Sequence, residues 1–262
     1  MSDTRKQFAV ITGGSTGIGF ALARECLSHG FDVLIAAIHK TDAAVAELRA
    51  SAPGATVSGI ETDLATEAGV DTLLAAVGNR RIDALLANAG TGLGGAFIDQ
   101  EWPRARHIID TNITGTLYLL HQVARTMKAE GGGKILITGS IAGFIPGGYQ
   151  AVYNASKAFL DSFSFALRYE LGDAGVTVTC LMPGLTETEF FDRAEMRDTA
   201  MGSAPKDDPA MVARKGFDAM MKGEGDVVTG WHNKLQAAIA HVAPAGLTAR
   251  LFGKMSQPGT AP

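Results

Sequence analysis

Phe8-Ala9-Val10-Ile11-Thr12-Gly13-Gly14-Ser15-Thr16-Gly17-Ile18-Gly19-Phe20 opens as a short β-rich run, turns through glycines, and leads into a helical pattern that continues to His29. In that order, Gly13, Gly17 and Gly19 let the backbone approach a pyrophosphate. Ser15, Thr16 and Ile18 complete the turn, and the helix N-terminus offers unpaired N–H groups. Gly13-Gly14-Ser15-Thr16-Gly17 also matches the GxSxG elbow of a serine hydrolase. That elbow belongs after several strands and needs a late His, whereas this one follows the first strand. Of the histidines at 29, 39, 107, 121, 232 and 241, none lies in a glycine-rich loop after a late strand, and His232 is the one remaining candidate. The same histidines carry no HxxxH or HExxH spacing, so no metal is expected.

Working outward, Gly30 suits a helix C-cap and Asp32 to Ile38 reads as a buried strand. Helical patterns follow at Ala43–Ala50, Val70–Val77, Trp102–Met127, Tyr153–Leu171 and Met211–Met221. Strand patterns occur at Thr56–Glu61, Ile82–Ala87, Lys134–Thr138, Val176–Leu181 and Asp226–Thr229. This alternation implies right-handed βαβ crossovers, hence an α/β fold. We expect a single-domain, Rossmann-type doubly wound parallel sheet with helices on both faces. The domain is expected over 1–252, with a substrate loop at about 185–210 and a flexible tail at 253–262.

The 262 residues are 46% apolar and 19% charged, which excludes disorder for most of the chain. Lys plus Arg number 23 against 27 Asp plus Glu, the wrong sign for a general nucleic-acid or anionic-membrane binder. The charged start of the chain has no apolar h-region, and no run approaches the ~18 apolar residues of a membrane span. Cys26 and Cys180 lack CxxC spacing and fall in a helix and a strand, so core packing in a reducing cytoplasm is expected.

The spacing TGxxxGxG at 12–19, with Asn88-Ala89-Gly90, Asn112, Ser140, Tyr153-x-x-x-Lys157 and Pro183-Gly184, resembles the classical short-chain dehydrogenase/reductase family from about Phe8 to Gly230. Pro-Gly-Leu-Thr-Glu-Thr-Glu-Phe-Phe at 183–191 resembles the DltE-like bacterial branch. The resemblance implies an NAD(P)-dependent oxidoreductase acting on a ketone, aldehyde or secondary alcohol, assembled as a homodimer or homotetramer. It implies that Asn88, Ala89 and Gly90 line the adenosine side, that Asp63 and Leu64 meet the adenine, and that Pro183, Gly184, Thr186 and Thr188 contact the nicotinamide end. It further implies that Asn112 binds a water linking Lys157 to solvent.

The chemistry follows from the residue types. Hydride transfer to a carbonyl needs a proton donor at oxygen, and Tyr153 is the candidate acid/base. A free phenol titrates at about 10, too high for an efficient base near neutrality, so it needs a positive charge beside it. Lys157, four residues on along a helix, projects from the same face. Ser140, just past a strand end, can hold the substrate oxygen.

An NAD site normally ends its second strand with an acidic residue that accepts from the ribose 2′-OH. Here Ile38, His39 and Lys40 stand at that end, so NADP(H) is favoured and NAD(H) is the alternative. Leu93, Ile141, Phe144, Tyr149, Met182, Leu185, Phe190 and Phe191 are the candidate substrate pocket, an apolar set suited to a hydrophobic carbonyl compound. Two other readings stand beside this one, a 3-oxoacyl-carrier reductase and a nicotinamide-binding redox sensor without turnover. Trp231, Leu235, Ile239 and Val242 are candidates for an oligomer interface or for closing the core.

Overall fold

The computed structural model describes residues 5–230, 233 and 243–261. Seven strands form one sheet: β1 (Phe8–Thr12), β2 (Asp32–Ala37), β3 (Val57–Glu61), β4 (Ala84–Ala87), β5 (Gly133–Thr138), β6 (Val176–Met182) and β7 (Asp226–Val228). All pairings are parallel, in the order β3-β2-β1-β4-β5-β6-β7. The order reverses at β1, which pairs with β2 on one side and β4 on the other, and such a switch point leaves a crevice beyond the strand ends.

Side-chain alternation divides the core. From β1, Phe8 and Val10 pack on one face with helices α3 (Glu67–Val77), α5 (Thr116–Ala129) and α6 (Ala151–Leu171). Ala9 and Ile11 pack on the other with α1 (Gly17–Ser28), α2 (Thr41–Ser51) and α9 (Pro209–Lys222). Both faces of the central strands are therefore dry, and β-branched and leucine side chains dominate there, while the edge strands β3 and β7 are partly exposed. Cys26 and Cys180 are buried free thiols within this packing.

The structure corrects the sequence reading in three places. The single helix expected over Trp102–Met127 is two, α4 (Trp102–Ile109) and α5, joined by a π-helical turn at Asp110–Gly115. Gly115 sits against the Leu64 carbonyl, where any Cβ would collide, so the wider turn brings the helix onto the loop after β3. The segment after β6 holds short helices α7 (Phe190–Arg193) and α8 (Ala200–Ser203). It also has a small core of its own, Phe191, Ala194, Met196 and Met201, which its polar composition concealed.

Third, a last helix spans Ala245–Ser256, so residues 253–256 of the expected tail are helical and Ser256 is buried. Beyond it, the Gly259 and Ala261 N–H groups donate to Asp198, and the Thr260 hydroxyl accepts from the Ala200 N–H. Trp231, His232, Leu235, Ile239 and Val242 lie outside the described residues. Among the described residues no helix is long and apolar enough to cross a membrane.

Candidate active site

A cleft of about 690 Å³ opens where the chain leaves β1, β2, β4, β5 and β6, and Gly13, Ile38, Asn88, Gly139 and Pro183 all line it. Gly13 (φ +65°) and Gly17 (φ +56°) take left-handed conformations that side chains resist, which turns the chain sharply from β1 into α1. Gly19 does not line the cleft but backs the turn: a Cβ there would strike the Gly13 carbonyl and the Asn88 side chain. Thr16 precedes α1 without a side-chain cap, and no acidic residue occupies the first turn. Ser15, Thr16, Gly17 and Ile18 therefore present a bare helix N-terminus to the cleft, a fit for a pyrophosphate.

Asn88 ties three strand ends together. Thr12 Oγ1 accepts from the Asn88 and Ala89 N–H groups, Asn88 Nδ2 donates to Thr12 O, and Asn88 Oδ1 accepts from Thr138 Oγ1. Asn88, Ala89 and Gly90 line the cleft beside Thr62, Asp63 and Leu64, with Asp63 Oδ1 accepting from the Ala65 N–H. At the β2 end, Ile38, His39 and Lys40 line it too, and Lys40 Nζ lies 2.6 Å from Glu189 Oε1 across the mouth. The ammonium holds the Glu189 carboxyl below the usual carboxylate range.

Tyr153 and Lys157 project from α6 into the cleft, with Lys157 Nζ 5.9 Å from the centre of the phenol ring. Lys157 Nζ donates to Thr138 O at 2.7 Å and is buried. Ser140 caps a short 3₁₀ turn (Ile141–Phe144), its Oγ accepting from the Ala142 N–H and donating to Pro183 O. Burial pushes the Tyr153 phenol up to about 12 against the pull of the adjacent Ser140 hydroxyl. Burial pulls the Lys157 ammonium down to about 8, with Asp161 opposing. Phe190 covers the phenol, ring centres 5.0 Å apart.

Asn112 is fully buried in the π-helical turn, not on the cleft wall. Its Oδ1 accepts from the Thr91 N–H, and its Nδ2 donates to Thr91 O and Ser156 Oγ. Both this amide and Lys157 Nζ lie beside Gly90, where a Cβ would stand 3.4 Å and 3.5 Å from them, at ordinary contact distance.

Of the expected pocket residues, Ile141, Leu185, Phe190 and Phe191 line the cleft, as do Pro183, Gly184, Thr186 and Thr188. Leu93, Phe144, Tyr149 and Met182 do not. Met182 points into a small core with Ile141 and Cys180, against which Phe144 packs, because the last residue of a strand still obeys the pleat. Leu93 is buried, and Tyr149 takes a left-handed conformation (φ +61°) at the approach to α6. In their place the last helix supplies Thr248, Leu251, Phe252 and Met255, a stripe at helical spacing, and its Ser256 Oγ accepts from Gln150 Nε2 and donates to Met201 Sδ. That spacing was the available signal. Among the described residues no group of His, Cys, Asp and Glu is arranged to hold a metal.

The family model for short chain dehydrogenase matches residues 7–198. An uncharacterized oxidoreductase of Myxococcus xanthus is 32% identical over 253 residues, covering 93% of this chain and 95% of the relative. Serine 3-dehydrogenase of Agrobacterium fabrum is 36% identical over 189 residues, 69% of this chain and 72% of its own. A solved short-chain dehydrogenase from Sphingobium yanoikuyae in complex with NADPH superposes with a TM-score of 0.80 at 26% identity, covering 91% of this chain and 97% of that one. With the glycine turn, the parallel sheet and the Ser140, Tyr153 and Lys157 cluster in place, the chain belongs to the short-chain dehydrogenase family.

Proposed function

We propose that this NAD(P)-dependent oxidoreductase reduces an uncharged, hydrophobic ketone or aldehyde with NADPH as the favoured donor. The observation that carries the reading is the meeting of Ser140, Tyr153 and Lys157 in the cleft that also receives the glycine turn. Gly13 to Ile18 hold the pyrophosphate, Asp63 and Leu64 the adenine, and Thr186 and Thr188 the nicotinamide end. When bound, the reduced nicotinamide supplies the hydride.

The protein supplies the rest. The Ser140 hydroxyl orients the substrate oxygen, and Tyr153 gives it a proton as the alkoxide develops. A phenol at about 12 is protonated at neutral pH, the form that reduction requires. The Lys157 ammonium at about 8 is still mostly charged at pH 7 and stabilises the phenolate left behind. Both N–H groups of Asn112 Nδ2 are engaged, so a water linking Lys157 to solvent through this residue would be held by its oxygens.

Ile145, Phe190, Leu251, Phe252 and Met255 give the substrate end an apolar lining. A serine-like substrate would need fixed partners for two charges, whereas the nearby Lys40 and Arg193 at the mouth are both already paired with Glu189. Glu187 and Asp192 line an adjoining hollow with Thr188 and Glu189 and weigh against docking of an acidic acyl carrier, and the intact proton-transfer cluster weighs against a sensor. The 183–191 segment supports placement in the DltE-like branch. A cytoplasmic homodimer or homotetramer is the assembly we expect.

The preference for NADPH rests on His39 and Lys40 at the β2 end, where an acidic residue would repel a 2′-phosphate. Lys40→Glu is expected to weaken NADPH binding about tenfold or more and to leave NADH within about threefold, as a lost charge-assisted contact implies. Fluorescence titration of both cofactors checks this. Equal losses would remove Lys40 as the group that distinguishes the 2′-phosphate.

A further inference from the structure

Helix α6 carries Tyr153, Lys157 and Asp161 at four-residue spacing, and the third takes no part in the reaction proposed above. Asp161 is buried, 4% exposed, where acids occur almost only when paired. Its Oδ1 accepts from the Ser140 N–H at 3.2 Å and from the Cys180 thiol at 3.5 Å, while Oδ2 has no hydrogen-bond partner. Two glycines make room for it: a Cβ at Gly139 would collide with Oδ1, and one at Gly143 with Oδ2. Holding a bare carboxylate there is costly unless an opposite charge answers it. On its own helix Lys157 stands one turn away, its Nζ on Thr138 O, and Tyr153 two turns away, while Cys180 donates to it from β6 and the Ile141–Phe144 turn brings backbone alone. Of these groups Lys157 is the cation.

We propose that Asp161 is a positioning residue that acts through Lys157, its carboxylate serving as the buried counter-charge of the catalytic ammonium. The proposal rests on the role given to Lys157 above and extends it. Burial alone would strip the proton from this amine, as unpartnered buried lysines titrate near 5–6. Asp161 opposes that loss, and Lys157 in turn limits the rise of the Asp161 carboxyl to about 6. Between about pH 6 and 8 both groups are charged, so the ammonium is available to Tyr153 across the neutral range. The Ser140 N–H fixes the carboxylate in its slot, and the same backbone unit carries the Ser140 hydroxyl.

The test needs neither cofactor nor substrate. Trace acetic anhydride labels lysine amines in proportion to their unprotonated fraction, and mass spectrometry of the Lys157 peptide across a pH series gives its midpoint. Wild-type protein is expected to titrate near 8. Asp161→Asn keeps an oxygen for the Ser140 N–H but removes the charge, so its midpoint is expected to fall by about one pH unit or more. An unchanged midpoint in the folded variant overturns the proposal, because a purely structural Asp161 predicts that result. Should the variant fail to fold, Asp161→Ser, which also removes the charge, is titrated in the same way, and an unchanged midpoint there overturns the proposal. A shifted midpoint in an enzyme that reduces no carbonyl would leave the pair standing and sink the reaction; turnover with an unmoved midpoint would do the reverse.

Discussion

Tyr153→Phe is expected to lower the rate of carbonyl reduction by at least about 10³-fold while cofactor affinity stays within about twofold. The reason is local. Phenylalanine keeps the ring, which packs against Phe190 at 5.0 Å and lies over the Lys157 ammonium, so the cleft retains its shape. What disappears is the hydroxyl proton placed at the substrate oxygen: Ser140 is too weak an acid to replace it, and the Lys157 ammonium is anchored on Thr138 O, 5.9 Å from the ring centre, too far back to take its place. Single-turnover rates with saturating cofactor measure the chemical step directly. A variant that retains even a tenth of the wild-type rate would move the proton donor elsewhere.

Gly19→Ala should damage the protein by a different route. A Cβ at this position has no void to occupy, because the Gly13 carbonyl and the Asn88 amide already fill the space. Both obstacles are anchored. Gly13 follows β1 directly, and Asn88 is bonded to Thr12 and Thr138, so neither side can yield without moving a strand end. The glycine turn must then open, and the expected result is more than a tenfold loss of nucleotide affinity. Overpacking of this kind costs about 1–3 kcal/mol, which lowers Tm by several degrees in a chain of this size. Calorimetric titration and thermal melting together check the claim, and wild-type affinity in the variant would contradict the account of the turn.

The parallel sheet was legible because its strands are short apolar runs buried on both faces, each punctuated by glycine or a polar turn. The glycine turn, Ser140, Tyr153 and Lys157 were legible for a related reason: their spacing is tied to single elements, so local sequence carries it. The break at Asp110–Gly115 was not, since a helical stripe runs through it and the cause is a contact between Gly115 and the distant Leu64 carbonyl. Asp161 escaped for the same reason, as its partners Ser140 and Cys180 come from β5 and β6 ends far away in sequence. The substrate wall was read from strand ends alone. Half of it comes from the last helix, whose Thr248, Leu251, Phe252 and Met255 gain meaning only once the chain folds back over the cleft.

This location of the apolar wall also separates two parts of the protein's work. The sheet and glycine turn offer the features shared by dinucleotide sites, while Phe190, Leu251, Phe252 and Met255 ride on segments outside the sheet. Such segments can vary without disturbing the proton-transfer cluster, so the proposed reading assigns substrate choice to them.

The measurement that bears most directly on the whole account is titration of the purified protein with NADPH and NADH, followed by the decay of reduced-nicotinamide absorbance against a panel of hydrophobic ketones and aldehydes. Tighter binding of NADPH, with its oxidation by at least one member of the panel, is the predicted result. Failure of both cofactors to bind would contradict the reading of Gly13 to Gly19, and binding without oxidation of either cofactor across the panel would contradict the role given to Ser140, Tyr153 and Lys157.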